Sequence, residues 1–88
     1  MTVELDCAFL TSRRDAHDYL AGQLNLPDYY GRNLDALYDL LTEKGSGMTL
    51  VLEHSDAMRE ALGSYGSRLI AALLDAEQAT PDLHVTIL

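Results

Sequence analysis

Asn33-Leu34-Asp35-Ala36-Leu37-Tyr38-Asp39-Leu40-Leu41-Thr42-Glu43-Lys44-Gly45-Ser46-Gly47-Met48-Thr49-Leu50-Val51-Leu52-Glu53 is the stretch that decides the fold. Asn33 is a good helix N-cap, and at about 100° per residue Leu34, Leu37, Leu40 and Leu41 fall on one side of the helix that follows. The helix is expected to run to about Glu43, where Gly45-Ser46-Gly47 stops it. Met48 to Glu53 then reads as a buried strand. A helix that feeds a strand through a glycine turn is half of a parallel crossover, so the flanking sequence should supply further strands.

It does so on both sides. Upstream, Val3, Leu5, Cys7 and Phe9 alternate with Glu4, Asp6 and Ala8, the period-two pattern of a strand with one face buried. Ser12 can cap a helix, Asp15 favours its positive end, and Ala16, Tyr19, Leu20 and Leu24 recur at helical spacing. That helix ends near Asn25, because Pro27 forces the residue before it into extended geometry. Downstream, Ser55 or Asp56 can cap a short helix through Leu62. Gly63-Ser64-Tyr65-Gly66 breaks it before a longer helix from about Ser67 to Ala79, and Thr80-Pro81-Asp82 turns into a last strand, Leu83 to Leu88. The order β-α-α-β-α-α-β predicts an α/β fold: a small three-stranded parallel sheet with right-handed crossovers, covered by helices. One domain over residues 1–88 is expected, with no repeat or linker.

Composition bounds the function. The 88 residues carry 14 Asp and Glu against 6 Lys and Arg, a formal net charge of −8. Phosphate backbones are bound by clustered cations, and the only adjacent pair is Arg13-Arg14, so nucleic-acid binding is not expected and a basic partner is. A chain of this size buries about 60–65% of its unfolded surface, which leaves little room for a deep catalytic pocket. Cys7 is the only cysteine, and no zinc-ligand spacing exists, so neither a disulfide nor a metal site is expected. The longest apolar run, Leu69 to Leu74, is far short of the roughly 20 residues of a membrane span. The opening Thr2-Val3-Glu4-Leu5-Asp6 has no signal-peptide character. The expectation is a cytoplasmic protein that is monomeric when free, without membrane or cofactor.

The helix of the opening stretch concentrates the charge. Asp35, Asp39 and Glu43 form an i, i+4, i+8 stripe opposite the leucines. Like charges at this spacing cost a few tenths of a kcal/mol, and a stripe serving only solubility would interleave lysines. Arg32 is the one cation near enough to Asp35 to offset part of it. Tyr38 lies on the border of the two faces, and Tyr29 and Tyr30 lie in the loop before the helix. Tyrosines beside exposed carboxylates suit a protein interface; the alternative for Tyr29 and Tyr30 is that at least one of them simply packs on the core.

The run Leu26-Pro27-Asp28-Tyr29-Tyr30-Gly31-Arg32-Asn33-Leu34-Asp35-Ala36-Leu37-Tyr38-Asp39-Leu40-Leu41-Thr42 resembles the signature of the barstar family, intracellular protein inhibitors of secreted ribonucleases. Leu50 to Glu53 and the last strand match the family's order of elements. The resemblance implies a barstar-like fold and an inhibitor, not an enzyme, that plugs the active site of a basic, barnase-like extracellular ribonuclease. Asp39 would stand where the scissile phosphate sits, Asp35 would meet a further basic residue, and Tyr29 would stack on the catalytic histidine. Asn33, Tyr38 and Thr42 would complete the contact. A further acidic contact on the last helix falls to Asp75, which points outward, with Glu77 the alternative. Two departures bear on partner choice: Tyr38 stands where the best-known member has tryptophan, and Glu43-Lys44 where that member has glycine and tryptophan.

Other chemistries find less support. General acid work near neutral pH needs a carboxyl shielded from solvent, which an exposed stripe does not provide. His17, His54 and His84 are scattered without a metal or HExxH pattern, and each reads as a structural or surface histidine. Cys7 reads as core rather than nucleophile. Immunity against a different basic toxin, or a scaffold or small enzyme working through another surface, are the alternative functions.

Overall fold

A computed structural model describes residues 1–88. Three strands, β1 (Thr2–Asp6), β2 (Thr49–Glu53) and β3 (His84–Ile87), form a parallel sheet in the order β1-β2-β3. Four helices connect them: α1 (Arg13–Gln23), α2 (Leu34–Lys44), α3 (Ser55–Leu62) and α4 (Ser64–Ala79). This is the β-α-α-β-α-α-β order and the α/β class predicted above.

The register places Val3, Leu50 and Val85 in one row and Leu5, Leu52 and Ile87 in the next, all on the same face. Crossovers between parallel strands of one sheet follow a right-handed rule, so two that step in the same direction across the sheet put their helices on the same side. The burial pattern agrees: Leu50 and Leu52 of the central strand are buried, whereas Thr2, Glu4, His84 and Thr86 on the opposite face are exposed. Leu20, Leu37, Leu41, Met58, Leu69 and Leu73 fill the space between helices and sheet.

The expected caps hold for the first two helices. The Ser12 Oγ accepts from the Asp15 N–H at 3.1 Å, and Asn33 Oδ1 accepts from the Ala36 N–H at 2.7 Å. Three expectations are corrected. The first strand stops at Asp6, whose carboxylate accepts from the Ala8 N–H at 3.0 Å and starts a single 3-10 turn over Cys7–Phe9. Phe9 is therefore 62% exposed, stacked on Tyr19 with ring centroids 5.6 Å apart, rather than in the core. Neither Ser55 nor Asp56 caps α3: His54 occupies that position in left-handed geometry (φ 58°), and the Ser55 hydroxyl donates to the Leu88 carbonyl at 2.8 Å. The break before α4 is Gly63 alone, at φ 58° and ψ −131°, so Ser64, Tyr65 and Gly66 are already helical.

Candidate functional site

The leucine face of α2 is spent on the core, with Leu37, Leu40 and Leu41 buried and α4 as the main neighbour. That fixes the rotation of the helix. Asp35, Asp39 and Glu43 consequently stand exposed in one row, none of them in an ion pair. No Lys or Arg nitrogen lies within ion-pair distance of any of the three carboxylates.

The loop before α2 is held from below. Tyr30 is 6% exposed and its hydroxyl lies 2.5 Å from Nδ1 of His17, itself only 2% exposed. The other ring nitrogen of His17 lies 2.7 Å from the hydroxyl of Tyr65 on α4. Burial, and secondarily the charge of Arg32, hold the His17 imidazole below its usual pKa and favour the neutral ring. A neutral ring donates through one nitrogen and accepts through the other, so one tyrosine hydroxyl donates to it and the other accepts. Burial likewise raises the Tyr30 phenol, which stays protonated. This Tyr-His-Tyr bridge pins α1, the loop and α4 together. With Tyr30 turned in, Tyr29 is turned out and 71% exposed.

The remaining expected residues take distinct positions. Asn33 is exposed, and its amide is doubly used: Oδ1 in the cap and Nδ2 donating to the Gly31 carbonyl at 3.3 Å. Tyr38 is half-buried against the core at the edge of the acidic row. Thr42, half-buried, donates its hydroxyl to the Asp39 carbonyl at 3.0 Å, one turn back along the helix. Asp75 is exposed on α4, whereas the Glu77 carboxylate accepts from the Val85 N–H at 2.6 Å and satisfies strand β3. Arg32, at φ 54°, is ion-paired with Asp18 on α1 and leaves Asp35 without a cation partner.

Comparison with known proteins places the chain. It matches the family model described as Barstar (barnase inhibitor) over residues 1–87. The chain belongs to the barstar family. A relative from Bacillus subtilis (strain 168), named "Putative ribonuclease inhibitor YrdF", is 42% identical over 67 residues, which cover 75% of this chain and 74% of the relative. The family description is that of an inhibitor, a binding protein and not an enzyme. No helix of this barstar-family chain is long and apolar enough to cross a membrane, and no cluster of three or more His, Cys, Asp or Glu side chains is arranged to hold a metal ion. Two features of the site were not visible in the sequence: the role of His17, and a cleft beside Asp35 lined by arginines from three parts of the chain.

Proposed function

We propose that this barstar-family protein inhibits a basic ribonuclease inside the cell by covering the enzyme's active site with α2 and the loop before it. The observation that carries the reading is the exposed, unpaired row Asp35-Asp39-Glu43, with Tyr29 projecting from the adjoining loop. Asp39 takes the place of the scissile phosphate among the enzyme's cations, Asp35 meets a second basic group, and Tyr29 stacks on the catalytic histidine. Asn33, Tyr38 and Thr42 border that contact. Asp75 provides the acidic contact from α4, a choice supported by the engagement of Glu77 with β3. Carboxylates meeting guanidinium or ammonium groups form the stronger, charge-assisted class of hydrogen bond.

The test mixes the protein with a panel of small microbial ribonucleases, following RNA cleavage and complex formation. A cognate enzyme should be inhibited stoichiometrically. Asp39→Ala should weaken binding far more than Glu60→Ala, which removes the same charge from an exposed site on α3. Equal losses would reduce the mechanism to bulk charge, and no complex with any enzyme at low salt would defeat the proposal.

A further inference from the structure

The chain has only six Lys and Arg, yet four of them, Arg13, Arg14, Arg32 and Arg68, line one open cleft of about 590 Å³. Arg13 and Arg14 come from the start of α1, Arg32 from the loop before α2 and Arg68 from α4. Here Asp18 alone serves two of them: it pairs with Arg32 and lies 3.9 Å from Arg14. Arg13 and Arg68 pair with no carboxylate at all. Both are held by the same aromatic ring, with their guanidinium carbons 4.3 Å and 5.2 Å from the centroid of Tyr65. That ring is itself fixed by the hydrogen bond to buried His17 at the cleft floor.

The charge balance of the cleft is therefore positive. Four guanidinium groups stand against Asp18 and the Asp35 carboxylate on the α2 side, leaving two positive charges without a partner. Collecting like charges around a concave surface is unfavourable unless something of opposite sign enters, and concavity focuses the field on that ligand. Guanidinium forks match the oxygens of a phosphate two at a time, and a tetrahedral, multiply charged anion can accept from several forks at once. The volume lies within the range of small-molecule sites and exceeds what a lone phosphate fills.

We propose that this cleft is a binding site for a phosphate-bearing small molecule, the phosphate seated among Arg13, Arg14 and Arg68 with Arg32 at the rim. The cleft shares Asn33 and Asp35 with the α2 contact proposed above but binds through cations, so titration with a phosphate and the ribonuclease assay report on the two separately.

Isothermal titration calorimetry of the intact protein in low-salt, phosphate-free buffer tests it, with pyrophosphate, adenosine 3′,5′-bisphosphate and citrate as probes. Pyrophosphate should bind at one site per chain with a dissociation constant at or below about 1 mM. Equal affinity for the nucleotide would assign recognition to the phosphate alone, and tighter binding would assign the rest of the cleft to the nucleoside; both support the site. The double variant Arg13→Gln/Arg68→Gln should weaken binding by about tenfold or more. Lys44→Gln, which removes a charge from the far end of α2, should change it less than about twofold. The proposal is overturned by absence of saturable binding up to about 10 mM, by citrate binding as tightly as pyrophosphate, or by an equal loss in Lys44→Gln. Circular dichroism of the variants, whose altered side chains are exposed, guards against mistaking unfolding for lost affinity.

Discussion

Replacing His17 by Phe should destabilise the protein severely although the ring volume is kept. The substitution removes two hydrogen bonds, 2.5 Å to Tyr30 and 2.7 Å to Tyr65, each with a net worth of about 1 kcal/mol. It also strands the Tyr30 hydroxyl in the interior, at a further cost of about 1–3 kcal/mol. The Tyr65 hydroxyl is buried as well and loses the same partner, so the penalty counted for Tyr30 alone is a lower bound. The sum is about 3–5 kcal/mol, against a total stability of about 4–13 kcal/mol for a domain of this length. At about 4–8 °C per kcal/mol, the melting temperature should fall by at least about 12 °C. Tyr30→Phe and Tyr65→Phe each leave one ring nitrogen of buried His17 without its partner, and each should cost about 1–3 kcal/mol.

The pH dependence supplies an independent reading. Burial depresses the folded-state pKa of His17, so below the ordinary value of about 6.5 the unfolded chain takes up a proton that the folded chain refuses. Stability conferred by the neutral ring is complete above pH 6.5 and declines as pH falls from there to the folded-state pKa. His54 acts in a different window. Its hydrogen bond to the Asp6 carboxylate raises its pKa, so its contribution is complete below about 6.5 and lost only above it. Urea unfolding between pH 5 and 6.5 thus isolates His17, and far-UV circular dichroism is the suitable probe because the chain lacks tryptophan. Wild type should lose stability on acidification across that window, and His17→Phe should have a flatter profile. A melting temperature within about 2 °C of wild type, or an unchanged slope, would refute the role assigned to the bridge.

Further outcomes follow from other parts of the molecule. With a cognate ribonuclease, raising salt should slow association far more than it speeds dissociation, as measured by stopped flow; a salt-independent association rate would remove electrostatic steering from the mechanism. That generalisation derives partly from the barnase–barstar pair itself, so the measurement tests its transfer to this chain. The hydroxyl of Thr80 is buried without a hydrogen-bond partner, and Thr80→Val should raise stability by about 1 kcal/mol, read from the urea midpoint at constant slope. A loss would mean that the hydroxyl is satisfied. Burial, with the charges of Asp6 and Glu53, pushes the Cys7 thiol up to about 11. At pH 8 the native protein should react with a thiol reagent only at the rate of its opening, and immediate labelling would contradict the buried position.

What the sequence disclosed and what it withheld divide along a physical line, the distance along the chain between interacting groups. The acidic row and its leucine counter-face lie within one helix, where the helical repeat alone decides which side chains are neighbours, and the structure keeps that division. The Ser12 and Asn33 caps are local in the same sense, each closing a bond three residues on. At Phe9 sequence and structure diverge because alternation continues past Asp6, while the backbone follows the competing carboxylate bond to the Ala8 N–H. Ser55 does not cap α3 because its hydroxyl donates to the carbonyl of Leu88, 33 residues away and within reach only after β3 has joined the sheet. His17 is the extreme case: its partners are 13 and 48 residues distant, and nothing in its own neighbourhood marks it as buried and bridging. The arginines of the cleft obey the same rule. Arg13-Arg14 was too small a cluster to suggest anion binding, yet the bridge that brings α1 against the loop and α4 also brings Arg32 and Arg68 beside that pair. The contacts that turn Tyr29 outward beside the acidic row thus also gather the cations, so loosening His17 should disturb both surfaces, whereas changing Asp39 or Arg68 should disturb only its own.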